Sequence, residues 1–167
     1  MVDCNFEICV FQDNDKLLLS LLYDPNEERL TLGIKNVTLG SHSLSKIKNE
    51  GKNEYYFWQI IQIFFFKAGL YVKVTLFESS KVIKAKKTHP IQVTENSGNF
   101  EETFSILFPE SFMNQVSCII SLNFKTRMCG KFCLGRTKIG QDFNDHWSQM
   151  KSNLGKPTEQ WHELMAP

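Results

Sequence analysis

The chain has 167 residues and a mass of 19.4 kDa, the size of about one domain. Hydrophobic residues make up 42% of it and charged residues 22%, which is typical of a soluble globular protein and excludes a wholly disordered chain or a fibre. Because the formal net charge is only +1, any charged partner has to be inferred from the local distribution of charge.

Short apolar segments separated by turn residues predict an all-β fold. The first segment ends at the turn sequence Asp24-Pro25-Asn26, and several segments alternate apolar with polar residues. The seven predicted strands are Lys16–Tyr23, Arg29–Val37, Gly69–Phe77, Val82–Thr88, Asn99–Phe108, Gln115–Phe124 and Lys131–Ile139.

The last third of the chain has a different pattern. Phe143, Trp147 and Met150 follow the i, i+4, i+7 spacing of a helix over Asp142–Ser152, and Gln160–Met165 is predicted to be a closing strand. We therefore expect an eight-stranded antiparallel β-sandwich with one short helix before the last strand. Residues 16–167 are expected to form this domain, with residues 1–15 as a linker or an added edge strand.

One long segment, residues 38–68, does not fit this pattern. It contains the apolar run 55–66, whose twelve residues are too few to span a bilayer as a helix, so that no transmembrane segment is expected. Three interpretations of the run stay open: a loop that inserts into a membrane interface, a partner-binding patch, and a variant insert that disturbs the loop.

The basic residues are concentrated in two blocks. Residues 67–88 carry six lysines and one acid, and residues 125–138 carry five basic residues and no acid. Blocks of this kind create a local potential that attracts an anionic partner, although solvated strand faces would have the same composition.

The start of the chain and its cysteines indicate a reducing compartment. The first sixteen residues have neither a basic start nor an apolar run of signal-peptide length. The five cysteines are scattered without the paired spacing of a disulfide framework or of a zinc site.

Motifs for catalysis are absent from the sequence. None of the four histidines accompanies a nucleophile motif, and there is no phosphate-binding or dinucleotide-binding glycine pattern. The adjacent acids Glu27-Glu28 and Glu101-Glu102 would point to opposite faces of a strand. We therefore expect a protein that is not an enzyme and that has no cofactor.

Four stretches resemble the second C2 domain of the synaptotagmin-like tandem-C2 family. They are KLLLSLLYDPNEERLTLGIKNVTL at the start, GLYVKVTLF, the lysine-rich SSKVIKAKKT, and HWSQM followed by QWHEL near the end. The resemblance covers about residues 16–165, with one interruption at 41–68. It implies a C2 β-sandwich of synaptotagmin-type topology with a long insertion in the first loop and a ligand surface formed by the loops at one end.

The family binds calcium through aspartates on two loops, and this chain lacks them. The corresponding positions are occupied by Gly69, Phe124, Thr126 and Phe132, and the first-loop segment 41–67 contains no aspartate. Calcium requires six to eight oxygen ligands, mostly from carboxylates. Basic residues stand beside these positions instead: Lys125, Arg127 and Lys131. The resemblance therefore implies a calcium-independent domain without a metal site.

The family's lysine-rich strand is retained. Lys81, Lys84, Lys86 and Lys87 match lysines that bind acidic phosphoinositides and protein partners in relatives. Alternation along a strand places Lys84 and Lys86 on the same face as Val82, and Lys87 on the other face. An edge strand that lysines protect from aggregation is the alternative.

Trp161, His162 and Leu164 match a docking motif of the family's second C2 domain. The alternative is a packing role in which Trp161 and Leu164 close the bottom of the sandwich together with Trp147. Both roles can coexist.

We expect a calcium-independent, non-catalytic module that binds acidic phospholipids, phosphoinositide or phosphatidylserine, and trafficking proteins. Its expected location is the cytoplasm, at the membrane periphery, and no nucleic-acid partner is expected. The alternative is a protein-interaction module without a lipid role, located in the nucleus.

Overall fold

A computed structural model of the chain describes residues 14–47, 69–136 and 145–167. It contains eight strands: β1 Lys16–Asp24, β2 Arg29–Thr38, β3 Leu70–Glu78, β4 Lys81–Lys87, β5 Ser97–Leu107, β6 Val116–Phe124, β7 Arg127–Gly135 and β8 Thr158–Glu163. Helical residues 41–47 form α1 and Asp145–Ser152 form α2, and a 3-10 turn covers Glu110–Asn114.

The strands form two four-stranded sheets. Sheet A has the order β5-β2-β1-β8 and sheet B the order β4-β3-β6-β7, and every pair is antiparallel. The predicted all-β sandwich with a short helix before the last strand is therefore confirmed. Within the described part of the chain, β5 and β8 are the edges of sheet A, and β4 and β7 are the edges of sheet B.

The core lies between the sheets because apolar residues alternate along the strands. In β1, Leu17, Leu19, Leu21 and Tyr23 are fully buried, while the residues between them are partly exposed. Burying a side chain of this size contributes about 1.5–3 kcal/mol. The same alternation along β3 and β6 buries the facing side of sheet B.

The predicted turn after the first strand is also present. The Asp24 carboxylate accepts hydrogen bonds from the N–H groups of Asn26 at 2.8 Å and Glu27 at 3.3 Å. These bonds satisfy backbone donors in a tight connection and hold β1 and β2 in register.

All eight strands differ from their predicted ranges, and two of them, β7 and β8, differ by two or more residues at both ends. β7 begins at Arg127, four residues before the predicted start, because a tight turn with Lys125 at φ 55° joins it to β6. The closing strand ends at Glu163, because the chain there crosses from sheet A to the edge of sheet B. The Met165 N–H and C=O groups pair with the backbone of Lys131 on β7.

The two predicted core positions of α2 that the structure describes, Trp147 and Met150, are both buried. Most of the segment 1–15, the apolar run 55–66 and the predicted helix start at 142–144 lie outside the described residues. No helix among the described residues is long and apolar enough to cross a membrane.

Candidate binding surfaces

The register of β4 divides its lysines between two faces. Lys84 lies opposite Leu76 and Lys86 opposite Val74, and both of these β3 residues point into the core. Directly paired residues share a face, so Lys84 and Lys86 lie on the side of sheet B that faces sheet A. Because β4 is an edge strand, their side chains are nevertheless exposed.

A bulge in β4 makes one sequence-based prediction wrong. Val82 pairs with Phe77, whereas the next pair is Lys84 with Leu76, so that Ile83 is the extra residue. A bulge shifts the alternation by one position. Val82 therefore shares the outer face with Lys87, and not the face of Lys84 and Lys86.

A row of side chains crosses the outer face of sheet B. Lys87 pairs with Lys73, Lys73 with Ser121, and Ser121 with Lys131, so that four strands contribute to one line. Neighbouring strands are about 4.8 Å apart, which places Lys73 one strand from Lys87 and two strands from Lys131. We call Lys73, Lys87 and Lys131 the lysine row.

The surroundings of the lysine row leave its charge uncompensated by neighbours on the same face. No Asp or Glu lies on the outer face of sheet B in the described strands. The Lys87 Nζ lies 5.6 Å from the centroid of the Tyr71 ring, within cation–π distance. The Asn123 side-chain amide donates hydrogen bonds to the carbonyl and hydroxyl oxygens of Ser121, at 2.9 and 3.1 Å. The polar groups of Ser121, which lie between the lysines, therefore already have a hydrogen-bond partner.

Lys73 is not among the binding residues predicted from the sequence. Alternation in GLYVKVTLF does place Lys73 on the polar side of its strand. However, only the cross-strand register shows that Lys87 and Lys131 lie beside it.

Lys84 and Lys86 belong to a second surface, which we call the edge groove. It has a volume of about 440 Å³ and lies along the edge strands β4 and β5. Its lining includes Arg29, Ile83, Lys84, Lys86, Leu107 and Phe112. Arg29, which is also not among the predicted binding residues, donates to the Ser105 hydroxyl at 3.3 Å and lies 3.8 Å from the exposed Glu27 carboxylate.

The other predicted basic residues lie elsewhere. Lys81 is opposite Glu78 where β3 turns into β4. Lys125 lies in the β6–β7 turn with its Nζ 5.5 Å from the Phe124 ring centroid, and Arg127 lines a pocket of about 150 Å³ beside α1. The seven predicted basic residues therefore do not form one site.

Close packing surrounds the positions at which the resemblance places calcium ligands. A Cβ atom at Gly69 would lie 2.6 Å from the Ile91 carbonyl oxygen, so that an aspartate does not fit at that position without a shift of the backbone. Phe124 and Phe132 are core residues. Among the described residues, no group of three or more His, Cys, Asp or Glu side chains could hold a metal ion.

The side chains of the docking motif differ in their exposure to solvent. Trp161 is 46% exposed, whereas His162 and Leu164 are both 5% exposed. Trp147 is buried elsewhere, with its indole N–H donating to the Met113 carbonyl at 3.2 Å. Trp161 therefore does not share the position of Trp147 in the core.

His162 forms a buried pair with His146 of α2. The Nε2 of His146 lies 2.8 Å from the Thr158 carbonyl oxygen, which can only accept, so this nitrogen carries the proton. The Nδ1 of His146 then accepts from the Nε2–H of His162 at 2.9 Å. Burial lowers the pKa of both imidazoles, and for His162 burial and the neighbouring His146 lower the pKa to about 4.

Comparisons with known sequences connect the chain to synaptotagmins. No protein-family model matches it. It is 33% identical over 99 residues to Synaptotagmin-2 of Homo sapiens, a match that covers 56% of the chain and 23% of that protein. It is 26% identical over 165 residues to Synaptotagmin-11 of Rattus norvegicus, which covers 96% of the chain and 34% of that protein. The chain thus spans between about a quarter and a third of the length of these relatives.

Solved structures share the fold. A C2 domain of RIM2 superimposes with a TM-score of 0.56 at 12% identity, over 90% of this chain and 97% of that one. The first C2 domain of human synaptotagmin XIII superimposes with a TM-score of 0.55 at 15% identity, over 92% of this chain and 90% of that one. The fold and the sequence similarities together support a C2 domain of the synaptotagmin type.

Proposed function

We propose that this C2 domain is a non-catalytic module that binds acidic phospholipids, phosphatidylserine or a phosphoinositide, at a cytoplasmic membrane surface without calcium. The observation that carries the proposal is the lysine row on the outer face of sheet B, where no described residue is acidic. A sheet face with one sign of charge is suited to a flat anionic surface.

The expected free energy of membrane binding follows from the number of lysines in the lysine row. A lysine near an anionic membrane contributes about 1 kcal/mol, so that three lysines contribute about 3 kcal/mol. Such binding is reversible and weakens with salt, since the Debye length at physiological ionic strength is only about 8 Å.

Calcium independence is supported by the packing at the expected ligand positions. Gly69 has no room for a side chain beside the Ile91 carbonyl, and Phe124 and Phe132 bury apolar rings at positions where the resemblance implies acids. The basic side chains of Lys125 and Arg127 would repel a divalent cation from the same loop.

The position and role of the domain in a longer protein are inferred from the resemblance. HWSQM and QWHEL match the second C2 domain of tandem-C2 proteins, and this favours a carboxyl-terminal domain that acts in membrane trafficking.

Liposome co-sedimentation tests the proposal. Vesicles with phosphatidylserine and a phosphoinositide are compared with neutral vesicles, in chelator and in calcium, at two salt concentrations. The triple variant Lys73→Ala, Lys87→Ala, Lys131→Ala is expected to bind roughly 100-fold more weakly, which corresponds to about 3 kcal/mol. Lys35→Ala, Lys151→Ala, Lys156→Ala removes the same charge elsewhere and serves as the control.

Two outcomes would contradict the proposal. Binding that requires calcium would show that the loops hold the ion in spite of their basic residues. An equal loss in both triple variants would show that overall charge, and not the lysine row, determines binding.

The exposure of Trp161 favours a second function, docking to a trafficking protein. This indole lies on β8, an edge strand of sheet A, and large aromatic side chains are enriched at protein interfaces. A pull-down from a membrane fraction with the wild-type domain and with Trp161→Ala tests it. Loss of a partner with unchanged liposome binding would support docking, and an unchanged partner set would contradict it.

A further inference from the structure

The hydroxyl group of Tyr23 is a buried polar group without a partner. Tyr23 is the last core residue of β1 and is 0% exposed, and its hydroxyl oxygen forms no hydrogen bond with the described residues. Most buried polar groups are hydrogen-bonded, because an unpaired one loses its contacts with water and gains nothing in return. The backbone of Tyr23 is satisfied, since its carbonyl oxygen accepts the Gly155 N–H at 2.8 Å. The unpaired atom is therefore the one at the tip of the side chain.

Phe108 brings two acidic residues to the same end of the sandwich. Its ring packs edge-on against the Tyr23 ring, with the centroids 6.3 Å apart. Its backbone N–H donates to the Glu28 carbonyl oxygen at 2.7 Å, and Glu110 follows two residues later at the start of the 3-10 turn. Glu28 and Glu110 thus flank the residue on which Tyr23 packs.

The negative charges at this end act on the Tyr23 hydroxyl. Burial raises the pKa of Tyr23, and the carboxylates of Glu28, Glu110 and Asp24 raise it further. Because the interaction between charges falls with distance, the hydroxyl oxygen lies near these carboxylates. The tip of the Tyr23 side chain is therefore directed towards the acids.

No described cation neutralises Glu28 or Glu110. Both side chains are exposed, and neither takes part in an ion pair among the described residues. The neighbouring Arg29 is directed to Glu27, at 3.8 Å, and the exposed Lys156 pairs with neither acid. Two carboxylates beside a buried hydroxyl are thus open to a cation from another molecule.

A guanidinium group fits this arrangement better than an ammonium group. Arginine carries five N–H donors in a planar fork, so that it can pair with carboxylates on two sides and still donate to a third acceptor. A phenolic hydroxyl can accept as well as donate, and Tyr23 can supply this third acceptor. Hydrogen bonds from a charged donor are also about twice as strong as neutral ones.

We propose that Glu28, Glu110 and the Tyr23 hydroxyl form a binding site for an arginine side chain of a partner protein. The site lies at the end of the sandwich that carries the β1–β2 turn and the 3-10 turn, outside the lysine row and the edge groove. The inference therefore concerns a basic partner and does not depend on lipid binding.

A bound water molecule is the competing explanation for the Tyr23 hydroxyl. A water held between the hydroxyl and one carboxylate would satisfy both groups without a ligand. In that case, removal of the hydroxyl would leave the affinity for an arginine compound unchanged.

An NMR titration with Nα-acetyl-arginine amide tests the proposal, and the uncharged isostere Nα-acetyl-citrulline amide is the control ligand. The arginine compound is expected to shift the backbone amide signals of Glu28, Phe108 and Glu110. The citrulline compound, which lacks the positive charge, is expected to shift none of them.

Three variants locate the binding. Tyr23→Phe removes only the hydroxyl and is expected to weaken binding of the arginine compound by about tenfold. The double variant Glu28→Gln, Glu110→Gln is expected to weaken it by at least about tenfold. Glu27→Gln, Glu95→Gln makes the same change in net charge at exposed positions and should keep the wild-type affinity. Thermal unfolding establishes that each variant is folded.

A second experiment tests whether the arginine belongs to a protein. Peptides selected from a random library on phage, with the wild-type domain as target, are expected to be enriched in arginine. A synthetic selected peptide should bind more tightly than Nα-acetyl-arginine amide in fluorescence anisotropy competition, and Tyr23→Phe should weaken its binding. A peptide that binds no more tightly than the small compound would overturn the assignment to a partner protein.

Three results would overturn the site itself. They are equal signal shifts with the arginine and citrulline compounds, an equal loss of affinity in the two glutamate double variants, and wild-type affinity in Tyr23→Phe, as a bound water predicts. Loss of liposome binding in the lysine-row variant would leave this site unaffected, so that the two proposals can fail separately.

Discussion

His146 and His162 stack in the core with ring centroids 5.1 Å apart, so that α2 is joined to β8 by an imidazole–imidazole hydrogen bond. On its other side, His162 stacks on Phe132 of sheet B at a centroid distance of 4.5 Å. A residue of the docking motif thus connects the helix and both sheets. Both rings are buried, so that proton uptake by this pair opposes folding.

We predict that the domain loses stability as the pH falls below about 6.5. The pKa of His162 is about 4 in the folded protein and near 6.5 in the unfolded chain, which therefore binds more protons between these values. The stabilisation is fully present above pH 6.5 and is lost towards pH 4, and His162 alone accounts for about 2 kcal/mol between pH 7 and pH 5.

Urea unfolding at pH 7 and pH 5 measures this loss. His162→Gln should lower stability at pH 7 and reduce its dependence on pH, whereas His42→Gln, at an exposed position, should keep the wild-type dependence. The prediction would be contradicted if the free energy of unfolding depended equally on pH in the wild type and in His162→Gln.

Asp15 is predicted to hold the start of α1 against the sandwich. Its buried carboxylate accepts the Gly40 N–H at 2.8 Å and the Ser43 hydroxyl at 2.7 Å. Asp15→Ala leaves these donors without a partner and should cost about 1–3 kcal/mol in the free energy of unfolding. Ser43→Ala removes only one of the two bonds and should cost less. A smaller loss for Asp15→Ala than for Ser43→Ala, measured by chemical unfolding, would contradict this role.

Gly69 and Gly98 provide a matched pair of substitutions. A Cβ atom at either position would lie 2.6 Å from Ile91, but at Gly69 the contact is with the carbonyl oxygen and at Gly98 with the terminal methyl group. The methyl group can rotate away, whereas the backbone is fixed by hydrogen bonds between Leu70 and Ile91.

We therefore expect Gly69→Ala to destabilise the domain by about 1–3 kcal/mol and Gly98→Ala by less. Thermal unfolding compares the two variants. Gly69→Asp, which introduces the acid that the resemblance implies at this position, is expected to unfold more readily than the wild type and to show no calcium binding by isothermal titration calorimetry. A stable, calcium-binding Gly69→Asp variant would contradict the packing argument.

The docking motif should separate into a surface residue and a core residue. Trp161→Ala removes a side chain that is 46% exposed and should change stability by less than about 1 kcal/mol. Leu164→Ala creates a cavity beside Gly130 and should cost about 2–5 kcal/mol. Urea unfolding distinguishes the two, and similar losses would show that the tryptophan also has a packing role.

Local sequence pattern predicted most of the fold. The alternation in β1 and β3, the turn at Asp24 and the helical spacing of Trp147 and Met150 each depend on neighbours within a few residues. The predicted strand limits were less accurate where contacts between residues far apart in the chain set them. At the end of β8, for example, the chain leaves sheet A to pair with Lys131.

The candidate site was predicted in composition but not in arrangement. Lys84, Lys86 and Lys87 were identified from a lysine-rich strand, yet the bulge at Ile83 and the pairing with β3 determine which face each one occupies. Lys73 and Arg29 were missed because they come from strands without a concentration of charge. Pairing within sheet B brings Lys73 beside Lys87, and the packing of sheet A against sheet B brings Arg29 beside Lys84 and Lys86.

The sequence by itself determined the strand segments, their turns and the resemblance to a C2 domain, because alternation and turn chemistry act between residues close in the chain. Only the tertiary structure decided which cations share a surface, since cross-strand register places residues far apart in the chain on one line, as with Lys73 and Lys131, which are 58 positions apart. It also decided that Gly69 has no room for a carboxylate and that Trp161 faces solvent while His162 faces the core, because these depend on the packing of one sheet and its loops against the other.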